Sequence, residues 1–439
     1  MMLLRATLFT LRIDHPLKDD KSAATLPAFP HRIAVARKIR RTMHRERTLE
    51  RVEHPRAPSA GCVAVGRGGS ARIVSIDVLR GLVMGLMALD HTRDFFGTGD
   101  FNPRDVMEPA LFLTRWVTHL CAPTFIFLAG LSAFLYGCER SAGELSRFLL
   151  IRGFWLILID LTLIKFGWRF DVDFYRLTAG VIFVIGASMM ALAALIWLPR
   201  WVIAAVVLIM LVGHNLLDGI RAEELGAASW AWHVMHEPGL VPLGDGAKLY
   251  VLYPLIPWIG VMAAGYLLGP VMQLEGAARQ RLLLLLGAAV TLGFIVLRTT
   301  NLYGDPAPWT VQETWLSVLL SFLNCEKYPP SLLYLKMTLG PALMLLASFE
   351  HARGAFARFL ATFGQVPFFY YVVHIYLIHG LAVATAFAMT GVLTSTPAIG
   401  LSLGGIYFVW LLVLVLLYPI CHWFSGLKER GRGRWWSYL

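Results

Sequence analysis

Apolar stretches of about twenty residues recur along most of this 439-residue chain. Each is long enough to cross the roughly 30 Å hydrocarbon core of a bilayer, and no other feature of the sequence restricts the fold as much. Inside hydrocarbon every backbone N–H and C=O must find a partner within its own segment, so such stretches become helices. The chain is 57% hydrophobic and only 15% charged, whereas a soluble domain carries about a quarter charged residues. The expected fold class is all-α, a polytopic transmembrane helical bundle.

About ten spans are expected, near residues 73–96, 110–137, 146–166, 177–198, 200–217, 248–270, 281–299, 330–349, 363–389 and 399–423. Alternate loops hold Arg140 and Arg147, then Arg200, then Arg279 and Arg281, then Arg353 and Arg358. The C-terminus adds Lys428, Arg430, Arg432 and Arg434. The remaining loops are longer and carry acids, among them Asp100, Asp105, Glu108, Asp171, Asp173, Asp218, Asp245 and Asp305. Basic flanks mark the cytoplasmic side, which predicts cytoplasmic termini at both ends and an even number of spans.

Residues 1–71 lack any sustained apolar period or cleavable leader pattern and are expected to be a basic, disordered cytoplasmic extension. Residues 72–439 form the membrane domain. The net charge of +11 predicts contact with anionic membrane lipids and not with nucleic acid, because basic residues beside spans report orientation and lipid contact. The five cysteines, at 62, 121, 138, 325 and 421, show neither pairing nor metal-ligand spacing. No metal is expected.

Ionisable groups inside spans cost about 2.5–3.5 kcal/mol each on insertion scales and therefore usually serve a purpose. The first span carries Asp77, Arg80, Asp90, His91, Arg93 and Asp94. At about 100° per residue, Asp77, Arg80, Met84, Ala88 and His91 share one stripe, with His91 within about 20° of Arg80 and roughly 16 Å further along. Gly81 and Gly85 would let a neighbour approach that face. Asp77 and Arg80 could equally be an interfacial ion pair, since they lie three apart. Other polar residues gather towards the same outer half: His214, Asn215 and Asp218 after the fifth span, Asn301 and Asp305 after the seventh, and Lys327, Tyr328 and Ser331 before the eighth. His119 on the second span and Tyr371 and His374 on the ninth complete an expected outward polar cavity, in which Arg93 also takes part. No Gly-rich phosphate loop, Gly-x-Ser-x-Gly elbow or paired metal-ligand spacing is present in the sequence.

An Arg followed by ten residues and a His on the first span resembles the signature of the transmembrane acyltransferases. The run Arg72-Ile-Val-Ser-Ile-Asp-Val-Leu-Arg-Gly81 is similar to the opening of the heparan-α-glucosaminide N-acetyltransferase catalytic domain. Further segments resemble its bacterial relatives: Cys121-Ala-Pro-Thr-Phe-Ile-Phe-Leu-Ala-Gly130, Gly213-His-Asn-Leu-Leu-Asp218, Tyr253-Pro-Leu-Ile-Pro-Trp258, Asn301-Leu-Tyr-Gly-Asp305 and Lys327-Tyr-Pro-Pro-Ser331. The likeness runs over residues 72 to 439.

The resemblance implies transfer of an acetyl or other acyl group from cytosolic acyl-CoA to a hydroxyl or amine of an envelope carbohydrate or small molecule, in a bacterial inner membrane. His91 would act as general base or carry a transient acyl group. Asp90 points about 100° away from it, so Asp94 or a group from another span would orient the imidazole. Arg80, with Asp77, suits the donor's phosphates or thioester carbonyl, and Arg115 could complete either end. The animal enzymes of the family have Asn where His91 stands and a catalytic His in the following outer loop. Here the loop from Gly97 to Pro109 has no His, which disfavours heparan as acceptor. A homodimer is a possible assembly. The rival expectation is a carrier, because many spans with buried charges also describe transporters; an acyltransferase-like protein without activity is the third.

Overall fold

A computed structural model describes residues 73–97, 104–395, 397 and 399–430; the proposed extension over 1–71 lies outside them. The first helix, α1, runs Val74–Phe96. Then follow α2 (Pro109–Thr118), α3 (Cys121–Gly137), α4 (Ala142–Ile159), α5 (Lys165–Arg169), α6 (Val181–Leu195), α7 (Arg200–Leu208) and α8 (Ser229–Met235). The second half holds α9 (Leu255–Leu268), α10 (Gly276–Thr300), α11 (Trp315–Leu323), α12 (Leu332–Ser348), α13 (Ala355–Gln365), α14 (Pro367–Thr390) and α15 (Leu403–Arg430). Among the described residues, seven helical stretches are long and apolar enough to cross a membrane: Pro109–Gly137, Arg200–Leu217, Leu255–Gln273, Gly276–Thr300, Leu332–His351, Pro367–Thr390 and Leu403–Lys428. The protein is a polytopic helical membrane protein.

The helices depart from the sequence expectation where local chemistry intervenes. α1 carries Asp77, Arg80, Asp90, Arg93 and Asp94, too many charges to count among the seven. α6 has only 15 residues, because the chain before it is extended. That segment, β1 (Arg176–Ala179), pairs in parallel with β3 (Ala247–Val251), which in turn pairs antiparallel with β2 (Gly239–Gly244). The small sheet, ordered β1-β3-β2, delays the expected spans at 177 and 248. The expected span 363–389 breaks at Val366, and α14 starts on Pro367, whose missing N–H and fixed φ suit a first helical turn. α4 continues into α5 through a π-helical turn at Asp160–Ile164, and α7 continues through another at Ile209–Gly213. Cys121, Cys325 and Cys421 are free and buried.

Glycine sets how closely the helices approach. Without a hydrophobic drive between helices in lipid, small residues that let backbones touch supply much of the association. A Cβ on Gly81 of α1 would fall 1.8 Å from the Leu360 carbonyl of α13, and one on Gly364 of α13 would fall 1.9 Å from the Asp77 carbonyl of α1. Gly130 of α3 and Gly265 of α9 meet the carbonyls of Met262 and Phe127 in the same reciprocal way, and Gly153 of α4 faces Gly186 of α6. α10 and α12 are joined by Gly287 and Gly340. Gly85 behaves differently. A Cβ there would meet nothing within 4 Å, and its carbonyl instead accepts from Trp410 Nε1 of α15 at 2.8 Å. Gly130→Val is expected to unseat α3 from α9, because overpacking costs about 1–3 kcal/mol even where neighbours can yield and here the neighbour is backbone. A lowered thermal midpoint on unfolding the purified protein in detergent checks this; an unchanged midpoint would refute it.

Candidate functional site

The stripe on α1 organises the site. Met84 and Ala88 are fully buried, and Arg80 and His91 sit about three turns apart on the same helix. Arg80 donates to Ser132 Oγ of α3 at 2.9 Å and to the Gly364 carbonyl at 3.3 Å, with Asp77 Oδ1 at 3.6 Å. It lines a cavity of ≈ 330 Å³ together with Arg152 of α4 and Lys428 of α15. The rest of the lining is largely apolar, with Met84, Met87 and Ile182 among its residues, and Tyr371 of α14 also lines it. The cavity thus combines three cations with an apolar wall.

Beyond Tyr371 stands His91, whose ring is 6.3 Å from the Tyr371 ring. Its Nδ1 lies 2.7 Å from Nε2 of His374, and the two imidazoles stack with 16° between planes. His374 Nδ1 lies 3.0 Å from the Tyr370 carbonyl. A carbonyl oxygen only accepts, so His374 donates from Nδ1 and, when neutral, accepts at Nε2. His91 therefore donates from Nδ1, and its own lone pair sits on Nε2, which has no hydrogen-bond partner among the described residues. Trp168 of α5 walls the other side, its ring 4.7 Å from that of His91 and edge-on to it.

The neighbouring acids are engaged elsewhere. Asp90 Oδ1 accepts from Thr118 Oγ1 at 3.0 Å and pairs with Arg93 Nη2 at 2.9 Å. Asp94, half exposed, takes the same Arg93 nitrogen at 2.9 Å. Neither hydrogen-bonds to His91; His374 does. Arg115 lies in the electrostatic field of Arg93, Asp90 and Tyr328, among the outer residues and apart from the lining of the Arg80 cavity. His119 is buried at the α2–α3 junction, its ring centre 5.3 Å from that of Tyr334 and edge-on to it. Lys327 is buried in the loop before α12 and acts electrostatically on both Asp90 and His91.

The remaining outer residues divide into two sets. Asn215 and Asp218 line a second cavity of ≈ 220 Å³ with Arg221, His236, Glu326 and Tyr328. Asn215 also ties that loop to α12 by accepting from Leu332 N at 2.9 Å. His236 Nε2 lies 3.2 Å from Asp218 Oδ1 without hydrogen-bond alignment. Tyr328 separates this cavity from the Lys327 side, its hydroxyl 3.3 Å from that of Tyr253.

The second set bonds within, or onto, the outer loop that leads into α12. Asn301 clamps Trp309 through both its carbonyl and its N–H. Asp305 accepts from Ser331 Oγ at 2.6 Å and from Glu326 N at 2.9 Å, while Ser331 caps α12 at Tyr334 N. Burial pushes the Asp305 carboxyl above its ordinary range, opposed by the Ser331 hydroxyl, by the Glu326 and Ala307 amides and by Arg298. His214 donates from Nε2 to the Pro330 carbonyl at 2.9 Å. Arg298, fully buried, donates to the carbonyls of Phe322, Ala307, Ser321 and Asn324 and so fixes the whole outer loop.

Sequence reading places His374 in the cavity but not on His91, because 283 residues separate them. Trp168, Arg152 and His236 carry no pattern that would single them out. Among the described residues no group of three metal-ligating side chains assembles.

No curated protein matches the chain. The sequence profile of the family described as heparan-alpha-glucosaminide N-acetyltransferase, catalytic, matches residues 72–300. That stretch covers more than half of the 439 residues and contains α1 with its Arg80 and His91, while Lys327 and His374 lie beyond it. With Arg80 and the His91 of a buried imidazole pair on that helix, and the profile spanning it, the chain belongs to the heparan-alpha-glucosaminide N-acetyltransferase catalytic-domain family.

Proposed function

We propose that the protein is an acyl-CoA-dependent acyltransferase that moves an acetyl or other acyl group from a cytosolic donor to a hydroxyl or amine of an envelope carbohydrate or small molecule on the outer side. The observation that carries this reading is the His91–His374 pair. It leaves an oriented lone pair on His91 Nε2, the arrangement a general base needs, and the proton on Nδ1 is held by a partner that is itself held by the Tyr370 carbonyl. The donor would enter at Arg80, Arg152 and Lys428, whose cations suit its phosphates, and lay its thioester arm along the apolar wall towards Tyr371. The acceptor would arrive from the opposite side, past Tyr328 and the Asp218–His236 cavity. In this arrangement the start of α1 and the end of α15 would face the donor side of a bacterial cytoplasmic membrane.

The test is incubation of the purified full chain, reconstituted in vesicles, with radiolabelled acetyl-CoA and envelope glycans. Acceptor-dependent release of CoA and labelled product are expected; a carrier would move a solute and leave acetyl-CoA intact. Arg80→Ala is expected to raise the KM for acyl-CoA about 10–100-fold, since a hydrogen bond to a charged group contributes about 1.5–3 kcal/mol. An unchanged KM in that variant would remove Arg80 from the donor site.

A further inference from the structure

Two buried side chains, His119 and Lys327, and the half-buried Arg93 hold donor groups that the reading above leaves unused. Arg93 Nη1 and both ring nitrogens of His119 are buried without a hydrogen-bond partner. Lys327 is buried as well, its ammonium 5.1 Å from the centre of the Tyr328 ring. Among the described residues it makes no ion pair.

Each of the three is held in place by other contacts. Arg93 spends Nη2 on Asp90 and Asp94, which leaves Nη1 free of both acids. His119 is fixed by its edge contact with Tyr334 and by the Tyr334 hydroxyl, which donates to its carbonyl at 3.1 Å. Lys327 is anchored through its backbone, which bridges to Pro330 and donates to Glu326 Oε1 at 3.2 Å.

The three converge from α1, the α2–α3 junction and the loop before α12. Asp90 joins Arg93 to Thr118, the residue before His119, and His119 packs on Tyr334 in the first turn of the helix that Lys327 precedes. A buried polar atom without a partner costs about 1–3 kcal/mol, and native proteins hold few of them. Three such atoms on two neighbouring side chains, with a buried ammonium nearby, call for a ligand atom that completes them. Two of the side chains are cations and the third can donate, so that atom is an oxygen bearing negative charge. In acyl transfer the atom that gains charge is the acyl carbonyl oxygen.

We propose that Arg93, His119 and Lys327 form the oxyanion site for the acyl group, a role that rests on the acyltransferase reading above. In the addition step the acceptor's proton passes to His91 Nε2, the acceptor atom bonds to the carbonyl carbon, and the C=O π pair moves onto the oxygen held by these donors. In the collapse that pair re-forms C=O, the C–S bond breaks with its electrons going to the CoA sulfur, and the proton on His91 passes to that sulfur. Product ester or amide and free CoA leave, and His91 is restored.

Two variants of the reconstituted full chain, assayed with radiolabelled acetyl-CoA, test the assignment. Lys327→Met is expected to lower kcat by about 10²–10³-fold with little change in the KM for acyl-CoA, and Lys327→Arg to recover part of the loss. His119→Phe keeps a ring against Tyr334 and removes two nitrogens that bond to nothing. It is expected to slow turnover while leaving the thermal midpoint unchanged or raised, whereas a structural histidine would lower the midpoint on replacement. Turnover within about twofold of the wild type in both variants, or a lowered midpoint with normal turnover of the folded fraction, overturns the oxyanion assignment alone. A wild-type chain that neither transfers nor hydrolyses acetyl-CoA overturns this assignment and the acyltransferase reading together.

Discussion

His91→Ala is expected to slow acyl transfer by about 10²–10⁴-fold, the usual contribution of a positioned general base, while the purified protein keeps its elution profile. The pairing with His374 adds a graded prediction. His374→Phe keeps a ring stacked near His91 but removes the acceptor of its Nδ1 proton, 2.7 Å away in the wild type. The His91 imidazole is then free to turn or to exchange tautomers, and a loss of about 10²-fold is expected. His374→Gln offers an amide oxygen that can accept the same proton, so its rate should fall between Phe and wild type. The order wild type, Gln, Phe, Ala at the two positions, measured as kcat with radiolabelled acetyl-CoA, distinguishes an oriented base from a histidine that merely fills space. Wild-type turnover in His91→Ala would sink the assignment.

Arg298→Met is expected to lower folding stability by about 3–5 kcal/mol, the usual cost of removing one partner from a buried charged network. The guanidinium donates from Nε to Phe322 O at 2.9 Å, from Nη1 to Ala307 O at 2.8 Å, and from Nη2 to Asn324 O at 3.0 Å and Ser321 O at 3.2 Å. Asp305 Oδ1 lies 3.7 Å away and balances the charge. Methionine fills similar volume but leaves four carbonyls without this donor. Arg298→Lys should restore less than half of the loss, because one ammonium cannot fan out to carbonyls on several sides. Thermal unfolding in detergent measures the effect, and proteolysis within 301–331 should accelerate in parallel. A midpoint equal to that of the wild type in Arg298→Met would show that the network does not hold the loop.

The membrane fold was legible because length and hydropathy act locally, and the α1 stripe was legible because the helical period is fixed. The same logic placed Arg80 and His91 on one face and marked Gly81 as a close contact. What was lost depends on partners distant in sequence. Nothing near His374 indicates that it meets His91, and nothing near Asn301 or Asp305 indicates that the one holds Trp309 and the other Ser331. The sheet was missed because Arg176–Ala179 is too short to alternate, and its partner Ala247–Val251 reads equally well as the start of an apolar span. The break at Val366 had a visible cause in Pro367, but an apolar run on both sides of it reads as one helix until the packing of α13 on α1 is known.

The reciprocal glycine contacts have a mechanical consequence. Where two backbones touch, neither helix can slide or tilt without moving the other, so α1 with α13, α3 with α9, α4 with α6, and α10 with α12 each move as one stiff slat. Joints between slats rest on side chains, which yield by changing rotamer. α14, which carries His374, has no such glycine seam, and its Gly380 meets nothing within 4 Å. The His91–His374 hydrogen bond therefore crosses a compliant joint between a stiff slat and a single helix. A lean of α14 away from α1 would lengthen that bond before disturbing any slat, which makes it the mechanically most sensitive distance in the site.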